Sequence, residues 1–176
     1  MRQVVPIKPY QDVLDFWFGR KSARDYLKEK SFWYASPTDD AYVRKSLGES
    51  YEEAKNGSLD EWMREGEGAL ALILLLDQVP RNIFRGTPQA YATDSKAVTV
   101  ARYAIERKWD KELPNIQRRY MYSPFNHSED LKDQEYSVKL FTELGDSYHL
   151  HWAKDFRDQI ERNGRFTHRD SILGRS

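Results

Sequence analysis

Three polar stretches stand directly beside apolar ones, and their residue types are those that hold anions or move protons. The first is "DQVPRNIFR" at 77–85, where Asp77, Gln78, Arg81, Asn82 and Arg85 follow at once on the apolar run "ALALILLL" at 69–76. Asp77 and Arg81 lie four apart, as do Gln78 and Asn82. A helix would bring each pair into contact, provided that it survives Pro80. The second stretch, "PFNHSEDLKDQE" at 124–135, gathers His127, Ser128 and Glu129, with Gln134 and Glu135 following. The third, "NGRFTHRDSILGR" at 163–175, concentrates Arg165, His168, Arg169 and Arg175 beside Phe166, Ile172 and Leu173.

Guanidinium forks match two oxygens of a carboxylate or phosphate at once. Arg81, Arg85, Arg165, Arg169 and Arg175, with Asp77, Gln78, Asn82, Gln134 and Glu135 around them, therefore read as a binding set for a small anionic molecule or an acidic peptide end. The same arginines can instead be structural, capping helix ends and pairing with Asp77 or Glu135. An imidazole titrates near neutrality, so a hydrolase-like enzyme would use His127 or His168 to carry a proton, with Glu129 as the orienting carboxylate. The structural alternative has Ser128 capping the next helix, its acids set against the helix dipole. A third class is an interaction scaffold whose aromatic groove grips a helix or chain end.

Several other chemistries lack their residues. The chain has no cysteine, which removes disulfides, thiolate nucleophiles and Cys-ligated metals. Its histidines, 127, 149, 151 and 168, show no metal-ligand spacing, and His149 and His151 point to different faces of a helix. There is no Gly-rich phosphate loop, zinc-protease motif or nucleophile elbow. Neither a metal nor a cofactor is expected. Lys and Arg total 28 against 28 Asp and Glu, interleaved throughout, which argues against nucleic acid and anionic membrane as partners. No run approaches the roughly 18 apolar residues of a membrane span, and "MRQVVPIKPY" lacks a signal-peptide core. The expectation is a soluble cytoplasmic protein, its 176 residues forming one domain, 1–176. Nothing in the sequence sets an oligomeric state.

The elements that must position these groups read as helices. "YQDVLDFWFGR" fits a helix that starts at Pro9 and stops at Gly19. Asp39 or Asp40 can cap a helix carrying Tyr42, Val43, Leu47 and Tyr51, stopped by Asn56 and Gly57. Residues 66–78, rich in Ala and Leu, predict a buried helix that Pro80 ends or kinks. Apolar stripes then mark helices around Ala97 to Ile105, Ile116 to Met121 and Val138 to Leu144, and a last helix runs to Asn163 and Gly164. No segment alternates as a strand. The sum is an all-α domain of about seven or eight helices in stacked antiparallel hairpins. "LGESY" at 47–51 matches a fragment of the tetratricopeptide pattern, but no repeat can be read off the chain.

Taken with "VLDFWFG" at 13–19 and "LLLDQVPRNIFRGTPQAYATD", the three polar stretches give the chain a family likeness. It resembles an uncharacterised bacterial and eukaryotic family, number nine hundred and twenty-four in the domain-of-unknown-function series. That resemblance implies a tetratricopeptide-like helical superhelix and adds Asp94 to the pattern residues named above. Asn163, Thr167 and Asp170 depart from the family pattern, and Phe156 stands where a histidine is commonly met, which disfavours a multi-histidine metal site. The family carries no assigned reaction, so the resemblance implies a fold and not an activity.

Overall fold

The computed structural model describes residues 9–34 and 36–175, and among them the regular structure is entirely helical. Helix α1 spans Pro9–Phe18 and α2 spans Pro37–Lys55. The cap of α2 is Ser36, whose Oγ accepts from the Asp39 N–H at 3.5 Å, so neither Asp39 nor Asp40 plays the expected part. Pro37 then occupies the first helical position, where a missing N–H costs nothing.

The centre of the protein is one continuous helical path from Gly66 to Ile83. It comprises α3 (Gly66–Ile73), a π-helical turn at Leu74–Gln78 and α4 (Val79–Ile83), with Leu74, Gln78 and Val79 all in right-handed helical conformation. Of the two outcomes expected at Pro80, an end or a distortion, the helix therefore does not end but continues through a π-helical distortion. A proline inside an α-helix leaves the carbonyl four residues earlier without its donor and crowds it. Here the chain widens by one residue, and the Val79 N–H reaches back to the Leu74 carbonyl. The Leu76 carbonyl, which Pro80 cannot serve, accepts instead from the Thr93 hydroxyl at 2.6 Å.

Leu70, Leu72, Ile73, Leu74, Leu75 and Leu76 are all fully buried in this path. A helix that is apolar all round has to be surrounded. α3 packs against α1, α5 (Asp94–Glu106) and α6 (Asn115–His127). At about 1.5–3 kcal/mol for each fully buried large side chain, this one helix is a principal source of stability. Beyond it, α6, α7 (Leu131–Leu144) and α8 (Ser147–Asn163) follow one another through short connections, each packed on the next as antiparallel hairpins. Asp130, not Ser128, caps α7, its Oδ1 accepting from the Lys132 and Asp133 amides. α8 stops at Gly164, which takes a left-handed φ of 72° as expected of a helix-ending glycine. A final helix, α9 (Asp170–Leu173), follows Arg169, which reaches back to the His127 carbonyl at the end of α6.

Close approach explains one glycine. A Cβ at Gly68 would lie 2.3 Å from the Trp62 carbonyl oxygen, whereas one at Gly48 would meet only Arg44 Cγ at 3.8 Å. Gly68→Ala is expected to destabilise the fold by about 1–3 kcal/mol, while Gly48→Ala is neutral or stabilising. Urea unfolding of the two variants checks this, and equal stabilities would contradict the packing described for the start of α3.

Candidate functional site

The π turn presents Asp77 to the interior with no exposed surface. A carboxylate so placed needs donors from the fold itself. It has three: His127 Nδ1 lies 2.7 Å from Oδ1, Gln78 Nε2 donates to Oδ2 at 2.8 Å, and Arg81 Nη1 stands 3.6 Å from Oδ1. Burial opposes ionisation of Asp77, but the charges of His127 and Arg81 and these hydrogen bonds outweigh it and hold the carboxyl below its ordinary value. An ionised carboxylate only accepts, so the imidazole places its proton on Nδ1 and turns Nε2 away.

Arg81 is the second member of the network. Its Nη1 donates to the Asp77 main-chain oxygen at 2.7 Å, and its fork holds Asp94 through two bonds of 2.8 and 2.9 Å. The expected contact between positions 77 and 81 thus survives Pro80, but the bidentate partner is Asp94, at the start of α5. Gln78 and Asn82 do not pair with each other. Gln78 serves Asp77, while Asn82 donates to the Phe32 carbonyl and to Asp40, both at 3.0 Å.

Arg169 arrives from the carboxy-terminal segment and is only 5% exposed. Its Nη2 donates to the His127 carbonyl at the end of α6, and its guanidinium lies over the rings of Tyr91 (4.3 Å) and Phe166 (4.8 Å). The nearest carboxylate oxygen, on Asp94, is 3.8 Å away, and its Nε has no partner within the protein. Burial and then the positive charge of Arg81 push the Arg169 guanidinium below its ordinary value.

The other predicted arginines are satisfied by acids. Arg85 grips Asp40 with two bonds, Nε at 2.8 Å and Nη2 at 3.0 Å. Arg175 binds Glu129 through two bonds of 2.8 and 3.1 Å, and Arg165 and Arg175 both reach Asp170. Glu129 is therefore not the carboxylate that orients His127. Arg175 and the Phe166 N–H occupy it, and with the nearby arginines they outweigh burial and hold it below its ordinary value. Asp77 orients His127 instead. Gln134 is buried and gives its amide hydrogens to the Phe125, Asn126 and Ser128 carbonyls, a structural task, while Glu135 is exposed on α7 and outside the network. His168 is exposed beside Phe166, and burial and Arg169 lower it below its ordinary value.

Two open chambers flank this network and share one wall made of Tyr91, His127 and Arg169. The larger, about 440 Å³, adds Asp94, Ser128 and Glu129. The smaller, about 280 Å³, adds Arg81, Arg85 and His168. The three distant stretches therefore meet around one hollow. Tyr91 went unnoticed in the sequence because a lone tyrosine in a short 3₁₀ turn has no pattern. Among the described residues no three His, Asp or Glu side chains converge to hold a metal ion.

A carboxyl lowered on folding contributes stability above its ordinary titration range and loses it as the pH falls through the folded-state value. Asp77→Asn is accordingly expected to cost about 3 kcal/mol near neutrality and, between neutrality and strong acid, to flatten the loss of stability that begins below about pH 5. Chemical unfolding across that range measures both. An unaltered acid limb would assign the effect to other carboxylates, Glu129 first.

The same architecture occurs in a solved structure of a protein of unknown function from Agrobacterium tumefaciens, which is 38% identical, superposes with a TM-score of 0.85 and covers 96% of this chain and 91% of that one. No curated protein matches significantly. Residues 13–176, which include every member of the buried network, match the family described as bacterial protein of unknown function (DUF924), and the chain belongs to that family.

Proposed function

We propose that the protein binds a small anionic ligand at the wall formed by Tyr91, His127 and Arg169, in the reducing cytosol that a cysteine-free chain suits. The observation that carries this reading is the state of Arg169. A guanidinium 5% exposed lies near a second one, Arg81, while Asp94, the carboxylate that it approaches at 3.8 Å, is already held by Arg81. Its Nε is sealed from solvent without a partner, and the side chain lines a wall shared by two open chambers. An anion there would answer the charge. The binding set is narrower than the five arginines expected, because Arg85, Arg165 and Arg175 are paired with Asp40, Asp170 and Glu129.

Calorimetric titration with inorganic phosphate and small carboxylates tests the reading. Arg169→Ala is expected to weaken binding about tenfold or more, which is about 1.4 kcal/mol or more, with helical content retained. Arg85→Ala, whose charge Asp40 already neutralises, should change it by less than about threefold. Equal losses from the two variants would remove Arg169 from its assigned role.

The bond between Asp77 and His127 favours a second reading, a hydrolase acting on an anionic ester. In it, His127 Nε2 takes a proton from water as that water attacks the ester centre, Asp77 steadies the imidazolium that results, and the ester bond breaks as the imidazolium returns the proton to the departing alcohol oxygen. A screen of phosphate and carboxylate esters would seek the activity. Turnover that persists in His127→Ala would exclude this role, and turnover lost only in His168→Ala would move it to His168.

A further inference from the structure

We infer that the anion is the phosphate end of a nucleotide whose base lies against a neighbouring aromatic cleft, an assignment that rests on the anion reading above. A third cleft, about 500 Å³, opens between the segment after α1 and helix α8. Trp33 and Tyr34 form one side, Tyr148, Trp152 and Phe156 the other, and Arg119 of α6 also lines it. The cleft shares Asn126 and Phe156 with the 280 Å³ chamber beside Arg169. Ring contacts run without a gap between the two: Trp152 to Phe156 at 6.2 Å, Phe156 to Phe166 at 6.0 Å, and Phe166 to the Arg169 guanidinium at 4.8 Å. The cleft falls within the roughly 300–1,000 Å³ of sites for small organic ligands, and the chamber lies just under it.

The lining selects the kind of molecule. Tyr148 is 66% exposed, Tyr34 59% and Trp152 42%, so three large rings present themselves to solvent around one cleft. An aliphatic guest would cover them but would leave Arg119 facing it without an acceptor, whereas Gln78, Ser123 and Asn126 are already bonded to Asp77, the Arg119 carbonyl and Ser137. A nucleobase has flat apolar faces for the rings and carbonyl or ring-nitrogen acceptors at its edge for Arg119. Arg119 has no carboxylate partner among the described residues and lies 5.4 Å from the Tyr120 ring, a disposition suited to stacking or to a base carbonyl. At the other end, donor groups stand on more than one side of the smaller chamber: Arg169 and His127 on the shared wall and His168 beside them, with the Arg81 and Arg85 forks lining it while held by Asp94 and Asp40. A phosphate, with three oxygens and up to two charges, uses more of these than a carboxylate can. The balance of charges, 28 against 28, supplies no basic track for a strand, so a single nucleotide fits better than a nucleic acid.

Titration of the whole chain with four probes tests the inference: inorganic phosphate, ribose 5-phosphate, adenosine and adenosine monophosphate, with the other monophosphates alongside. The monophosphate is expected to bind at least about tenfold more tightly than either ribose 5-phosphate or adenosine, and to quench tryptophan fluorescence. Trp152→Ala should reduce its affinity to that of ribose 5-phosphate and leave phosphate binding unchanged. Arg169→Ala should reduce it to that of adenosine. If ribose 5-phosphate and the monophosphate bind equally, the aromatic cleft has no part and this inference falls while the anion reading stands. If adenosine binds as tightly as the monophosphate, the anion reading fails and takes the inference with it, and binding of none of the four overturns both. Capture of an aromatic peptide in the cleft without nucleotide binding would reassign the rings to a protein partner.

Discussion

A carboxylate sealed from water at the middle of an apolar helix sets the terms for everything around it. Asp77 has to be met by donors, and the fold gathers them from its own turn, from Arg81 one turn on and from His127 at the end of α6. Each donor then brings a further requirement. Arg81 is itself half-buried and needs more negative charge, which Asp94 provides from α5. His127 ends a helix whose carbonyls lack partners, and Arg169 supplies a cation there. Charges of alternating sign thus lead from the central helix through α5 to the carboxy-terminal segment. Such a network adds little net stability compared with apolar side chains of the same volume, but it tolerates few arrangements.

The π turn is what allows that carboxylate to sit inside. A regular helix through Leu74–Gln78 would meet Pro80 with an unserved carbonyl at Leu76. Widening the turn by one residue avoids the clash, and Thr93 takes over the free carbonyl. The hydroxyl that performs this repair immediately precedes α5, whose first residue is Asp94, so the backbone fault and the ion-pair network are fastened to the same point. Pro80 and Asp77 are in this sense one feature.

Much of the architecture was legible because it follows from local rules. The apolar run at 69–76 is too hydrophobic to sit on a surface, and its Ala and Leu content favours a helix over a strand. Gly19, Gly164 and the Asn56–Gly57 pair end helices where their backbone freedom predicts. Errors appeared wherever two local signals competed. Ser36 outcompeted Asp39 and Asp40 as the cap of α2 because Pro37 fixes the first helical residue. Ser128 lost the cap of α7 to Asp130 and instead donates to Asp133. At the site, spacing brought Asp77 and Arg81 together correctly, yet no spacing rule links residue 77 to 127 or 81 to 94. Those pairings are products of packing, as is the separation of Glu129 from the imidazole beside which it stands in sequence.

Two buried polar atoms without partners show how a structural residue differs from one that awaits something. Gln134 leaves Oε1 unpaired, but its Nε2 already serves three carbonyls, so the amide sits in a nest of acceptors where its oxygen could find no donor. The orphan is the cost of tying α6 to α7, and Gln134 lines neither chamber beside His127. Arg169 Nε has no such explanation. Its guanidinium lies against two rings, feels the positive charge of Arg81 against the negative charges of Asp94 and Glu129, and borders both chambers. A side chain whose only task was to cap α6 could do so from the surface as a lysine, with water around its charge. Burying a planar, permanently charged fork against aromatic rings costs stability that the single bond to His127 does not return. The arrangement makes physical sense when the fork is held ready for an anion, and that is why the proposed function rests on Arg169 rather than on the better-bonded arginines around it.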